Sequence, residues 1–182
     1  MSLLPSIGAE KPCSMLAINT PIQIRTALVT VDFRGGYKQI IEKDPDDPAN
    51  SVRMKMGFKL SAELPGFDGD GGGGTITLEQ KFEDSGIESR LRVLQDSPPK
   101  LEQVMVLRLT MTIDQPNTDG EGTSEPLVLV TRDPAVIIGE ISVFPPRGDE
   151  YKLRNPVDFV LPDAPDVTVA VLQKLPAKTG GF

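Results

Sequence analysis

Ser51-Val52-Arg53-Met54-Lys55-Met56-Gly57-Phe58-Lys59-Leu60-Ser61-Ala62-Glu63-Leu64 alternates without a break. Val52, Met54, Met56, Phe58, Leu60, Ala62 and Leu64 fall on one side, and the polar residues and Gly57 on the other. A period of two puts all the apolar side chains on one face of an extended chain, so this segment is a long antiparallel strand with its back to water or to a polar partner.

Working outward, Thr75–Phe82 resumes the alternation after Pro65–Gly74, a stretch too rich in Gly and Asp to hold a regular element. The two runs read as a long hairpin. Ser85-Gly86-Ile87-Glu88 has the spacing of a capping box, and Ile87, Leu91 and Leu94 recur at i, i+4 and i+7 before Pro98-Pro99, which predicts one short helix. Residues 101–114 return to alternation, with Met105, Leu107, Leu109, Met111 and Ile113 on one side, as a single strand running into an acidic turn at Gln115–Glu125. Further strand candidates are Met15–Ile18, Ile22–Phe33, Tyr37–Ile41, Leu127–Val130, Val136–Phe144, Tyr151–Leu153, Val157–Leu161 and Val167–Leu172. About ten short strands punctuated by Gly and Pro predict an all-β fold, an antiparallel β-sandwich, jelly-roll or barrel with at most one short helix. The 182 residues suit one β-rich domain, with residues 1–12 as a loose N-terminal arm and 177–182 as a C-terminal tail.

Composition narrows function mainly by exclusion. A formal charge of -7, with no run of Lys or Arg, repels phosphate backbones and argues against direct nucleic-acid binding. The segment Met1–Glu10 has neither a basic start nor the apolar stretch of a signal peptide, and no later segment has the length of a transmembrane span. The expected setting is therefore the cytoplasm or a virion assembled there. Cys13 is the only cysteine, which removes intrachain disulfides, and it lacks a partner base because the chain contains no histidine. Without histidine the usual general base and the usual metal ligand are both missing. A carboxylate-pair hydrolase needs no histidine, but acids clustered in turns such as Asp44-Pro45-Asp46-Asp47 keep ordinary pKa values, and the absence of Trp disfavours a sugar platform.

Asp68-Gly69-Asp70-Gly71-Gly72-Gly73 followed by Glu79 resembles the calcium loop of an EF-hand, with carboxylates at loop positions 1, 3 and 12 and glycine at position 6. Asp68, Asp70 and Glu79 are thus the candidate calcium ligands, and calcium the one candidate cofactor. The pattern departs from the family at Gly72 and Thr75, and strands rather than helices flank it. Arg147-Gly148-Asp149 resembles an integrin-binding tripeptide and reads as a polar turn after Pro145-Pro146, and Arg34-Gly35-Gly36 as a strand-ending turn. These features point to a non-enzymatic structural subunit of a symmetric assembly, such as a viral or phage capsid, decoration or tail protein. Its expected partners are copies of itself or a larger protein shell, with no nucleic acid and no membrane. The alternative is a soluble ligand-binding β-sandwich module, assisted by calcium.

Overall fold

A computed structural model describes residues 3–64, 74–114 and 125–181. The described residues form one continuous antiparallel sheet: β1 (Glu10–Ile24), β2 (Ala27–Lys43), β3 (Ser51–Glu63), β4 (Thr75–Gln80), β5 (Ser89–Gln95), β6 (Lys100–Leu107), β7 (Thr110–Asp114), β8 (Leu127–Thr131), β9 (Ala135–Ile141), β10 (Arg147–Leu153), β11 (Val157–Leu161), β12 (Ala164–Leu172) and β13 (Ala177–Gly181). The sole helical element among them is a 3-10 turn at Phe82–Asp84.

The pairing pattern reduces these strands to a simpler object. β1, β2 and β3 run uninterrupted, whereas β4/β5, β6/β7, β8/β9, β10/β11 and β12/β13 each continue one path across a short break. β3 pairs with β4 in one half and β5 in the other, and β1 pairs with β12 in one half and β13 in the other. Every path pairs with the next in sequence, and the last returns to the first, so the described residues close into an eight-stranded up-and-down barrel. Of the three expected architectures, the barrel is the one the pairing selects, because a sandwich or jelly-roll would need crossovers that this nearest-neighbour order lacks.

Hydrogen bonds carry the wall across the breaks. Thr131 N–H bonds Leu109 C=O at 3.1 Å, Arg132 N–H bonds Asp158 C=O at 3.0 Å, Arg154 N–H bonds Val136 C=O at 2.8 Å, and Gln173 N–H bonds Pro21 C=O at 3.2 Å. Where β4 gives way to β5, side chains take over from backbone. Gln80 donates to Met56 C=O at 2.9 Å and accepts from Arg108 N–H at 2.7 Å, while Ser85 Oγ accepts from Met56 N–H at 2.9 Å. The seam therefore leaves few backbone groups stranded.

Above the seam, toward the Arg25-Thr26 turn, the interior is apolar apart from Thr20: Ile22, Phe33, Leu60, Ile76, Leu78, Met111, Leu129, Phe159 and Leu172 are buried. Each such side chain contributes roughly 1.5–3 kcal/mol by leaving water. Below it, Met15, Met54, Leu91, Leu101, Met105 and Ile137 share the interior with buried polar residues.

Several expectations fail. The segment predicted as a helix is strand β5, because Ser89 and Leu91 satisfy open backbone groups on β3 and β6, while Ile87 and Leu94 stay exposed and build no common apolar face. Ladder bonds from both sides outweigh a local helical preference. Residues 177–181 are not a tail but β13, wedged between β1 and β10. Nor are residues 3–12, the described part of the expected N-terminal arm, loose. β1 begins at Glu10, Leu3 and Leu4 pack on the core, and Gly8 N–H bonds Ile41 C=O at 2.7 Å. The run 101–114 breaks at Arg108-Leu109, and Ile22–Phe33 contains the β1–β2 turn. Arg34-Gly35-Gly36 ends no strand, since β2 runs straight through it, and a side chain at Gly35 would collide with the Lys59 carbonyl of β3.

Candidate functional site

Of the residues expected to bind calcium, Asp68 and Asp70 lie outside the described residues. Glu79 stands on β4, half-buried and cross-strand from Lys59 and Thr110. Among the described residues, no group of three or more acidic, Cys or His side chains is arranged to hold a metal. Arg147-Gly148-Asp149 opens β10 with a bulge opposite β13, and the Asp149 carboxylate accepts the Arg147 N–H at 2.9 Å.

The polar chemistry concentrates inside the lower half. Tyr151 projects from β10 across Gly139 on β9, where any larger residue would overlap its ring, and its hydroxyl donates to Gln103 Oε1 on β6. Gln103 Nε2 donates to Gln39 Oε1 at 2.8 Å, with Met54 Sδ at 3.6 Å. Gln39 Nε2 in turn donates to Cys13 Sγ at 3.5 Å. Gln39 and Gln103 are wholly buried. Thr179 and Cys13 flank the Tyr37 hydroxyl, yet Tyr37 Oη and Thr179 Oγ1 make no hydrogen bond of good geometry. Burial pushes the Cys13 thiol above its ordinary range, and burial likewise raises both tyrosine hydroxyls, so all three stay protonated. Neutral groups of this kind hold a small polar guest or brace the wall, but supply neither nucleophile nor base.

A second cluster closes the lower end. Arg53 and Arg90 stand directly opposite each other on β3 and β5, an unfavourable pairing relieved by Asp44, which reaches Arg53 Nε at 3.2 Å and Arg90 Nε at 3.5 Å. Burial pushes the Asp44 carboxyl up, but the neighbouring Ser51 hydroxyl, the Asp46 amide and the Arg53 guanidinium outweigh it and hold it below the usual carboxylate range. Asp44 thus departs from the solvated turn expected of this segment; its partners are arginines rather than a second acid, unlike the pair a carboxylate hydrolase requires.

On the outer wall, a groove of about 780 Å³ crosses β6, β9, β10, β13 and β1. Leu16, Ile18, Ile138 and Pro176 give it apolar surface. Ile18 is 47% exposed and immediately precedes Asn19, whose φ of 57° marks the bulge in β1.

No known protein family, curated protein or solved structure matches the chain. Sequence reasoning missed Gln39 and Gln103, although the signal was present: each is a lone amide at an inward position, Gln39 between Tyr37 and Ile41, Gln103 between Leu101 and Met105. The groove gave no such signal, because β1, which carries Leu16 and Ile18, reaches the other strands only through barrel closure.

Proposed function

We propose that this protein is a non-enzymatic structural subunit of a symmetric assembly, in its most concrete form a virion component such as a capsid, decoration or tail protein. The observation that supports this reading is the packed interior of a closed wall. Side chains of Phe33, Phe159, Tyr151 and their neighbours fill the barrel, which leaves the outer wall and the end loops as the working surfaces. The acidic charge suits an outer position in a particle, away from packaged nucleic acid. No described helix is long and apolar enough to cross a membrane.

The expected result in size-exclusion chromatography with light scattering, at two protein concentrations, is a discrete multimer of the 19.7 kDa chain. A monomeric mass at both concentrations would contradict assembly from copies of itself.

The unpaired hydroxyls of Tyr37 and Thr179 favour a second reading, a binding module with a small polar guest in the lower interior. Its calcium-assisted form predicts a higher melting temperature in calcium than in chelator, and loss of that difference in Asp68→Ala and Glu79→Ala.

A further inference from the structure

We infer that the wall of the barrel opens first along the junction of β8 and β9 with β10 and β11, and that this opening is the entrance to the polar lower interior. The entrance serves the small polar guest of the binding reading above and rests on that reading. The junction is the thinnest in the described wall. β9 meets β10 only over Tyr151–Leu153, and β8 meets β11 only at Phe159 and Val160. On its other flank the same path pairs with β6 along the whole of Ala135–Ile141 and with β7 from Leu127 to Val130. Pro134 and Pro156 stand in the two facing breaks and have no N–H to give, so the wall there is carried by the bonds from Arg132 N–H to Asp158 C=O and from Arg154 N–H to Val136 C=O. Below Gly139, β9 continues along β6 to Ile141 with no β10 partner, because the start of β10 pairs with β13 alone.

Two side chains make up part of the deficit, one on each side of the wall. Outside, Arg132 follows the end of β8 and reaches across the junction with all three guanidinium nitrogens: Nη1 to Asp158 Oδ2 at 2.9 Å, Nη2 to Thr168 Oγ1 at 2.6 Å and Nε to Pro165 C=O at 3.3 Å. This fork holds β11 and β12 to β8. Inside, Gln103, Gly139 and Tyr151 form one row across β6, β9 and β10, and the Tyr151 hydroxyl passes over Gly139 to donate to Gln103. Local openings start where a few polar ties stand in for ladder bonds. Next to this row lie Gln39, Cys13 and the hydroxyls of Tyr37 and Thr179, with Thr179 on β13 directly beside β10. Parting β9 from β10 therefore uncovers the polar cluster while the apolar upper half stays packed.

The test is native-state hydrogen exchange of the full chain, together with the rate at which iodoacetamide alkylates Cys13, the single and buried thiol. The amides of Arg132 and Arg154 should exchange about tenfold or more faster than amides between β2 and β3, with little dependence on low denaturant, and Cys13 should be alkylated through the same opening. Arg132→Ala and Tyr151→Phe each remove one clamp and should speed both processes about threefold or more. Ile76→Val in the upper half lowers global stability without touching the junction. It should speed exchange between β2 and β3 and leave the junction amides and Cys13 unchanged. Junction amides as slow as those between β2 and β3 would overturn the inference, and so would Cys13 alkylation that follows Ile76→Val as closely as it follows Arg132→Ala. Both measurements are made without a guest, so their failure removes the entrance and leaves the binding reading to its own test.

Discussion

The two halves of the barrel are built from the same strand paths yet have different interiors. Above the seam, Ile22, Phe33, Leu60, Ile76, Leu129 and Phe159 meet, the one buried polar neighbour on β1 is Thr20, whose hydroxyl donates locally to Ala17 C=O at 2.9 Å, and that half is held mainly by area and fit. Below it, a chain of hydrogen bonds runs from Tyr151 on β10 through Gln103 on β6 and Gln39 on β2 to Cys13 on β1, spanning the interior instead of following the wall. An apolar interior tolerates exchanges that keep volume, whereas a shared amide tolerates few, because each partner is left unsatisfied when it goes. Burial of one face already fixes the register in both halves. The lower half adds hydrogen bonds across the interior that tie β10, β6, β2 and β1 to one another.

The contrast can be broken at its strongest point first. Phe159→Ala in the upper half should cost about 3–5 kcal/mol in chemical denaturation, whereas Phe159→Leu should recover most of it. Gln103→Leu keeps the volume of the lower core but strands the Tyr151 hydroxyl and the Gln39 amide oxygen, and should cost about 2–3 kcal/mol. If Gln103→Leu proves as mild as Phe159→Leu, the two interiors do not differ in kind.

The Asp44 cluster sharpens the comparison through pH. A carboxyl whose pKa is lower in the folded than in the unfolded chain stabilises fully above its unfolded value of about 3.9, and that contribution is lost as pH falls through the folded value. The melting temperature should therefore fall on acidification below about pH 4, and Asp44→Asn should lower it at pH 7 while flattening the acid limb. The same steepness in Asp44→Asn would assign the acid sensitivity elsewhere. The smallest effect is expected at Leu28, 63% exposed on the upper wall, where Leu28→Ala should change stability by no more than about 0.5 kcal/mol.

What could be read from the sequence depended on where each strand obtains its stability. β3 was plain because its inward residues are all apolar and its outward ones mostly charged, so burial alone prints the pattern. β13 was invisible: Ala177-Lys178-Thr179-Gly180-Gly181 has no apolar alternation, and the backbone bonds to β1 and β10 that hold it depend on residues far away in the chain. The same cause hid the fate of 85–95, where a local helical spacing was overruled by open backbone groups on β3 and β6. The breaks at Arg108-Leu109 and after Gln80 left no mark either, since the Gln80 amide that bridges them looks like any polar residue until its neighbours are placed. Of the candidate sites, the lone inward glutamines were legible and the groove was not.

The pairing of β13 with β1 joins positions as distant as Ser14 and Gly180, which lie 166 residues apart. During synthesis, each path can dock on its predecessor as soon as it emerges, yet the Cys13–Ala17 edge of β1 stays bare until residues 177–181 are made. At ordinary translation rates that interval is on the order of ten seconds or more. For that time the nascent chain is an open sheet, exposed to pairing with its neighbours on the same messenger, and a shortfall of the final strand would make the exposure permanent.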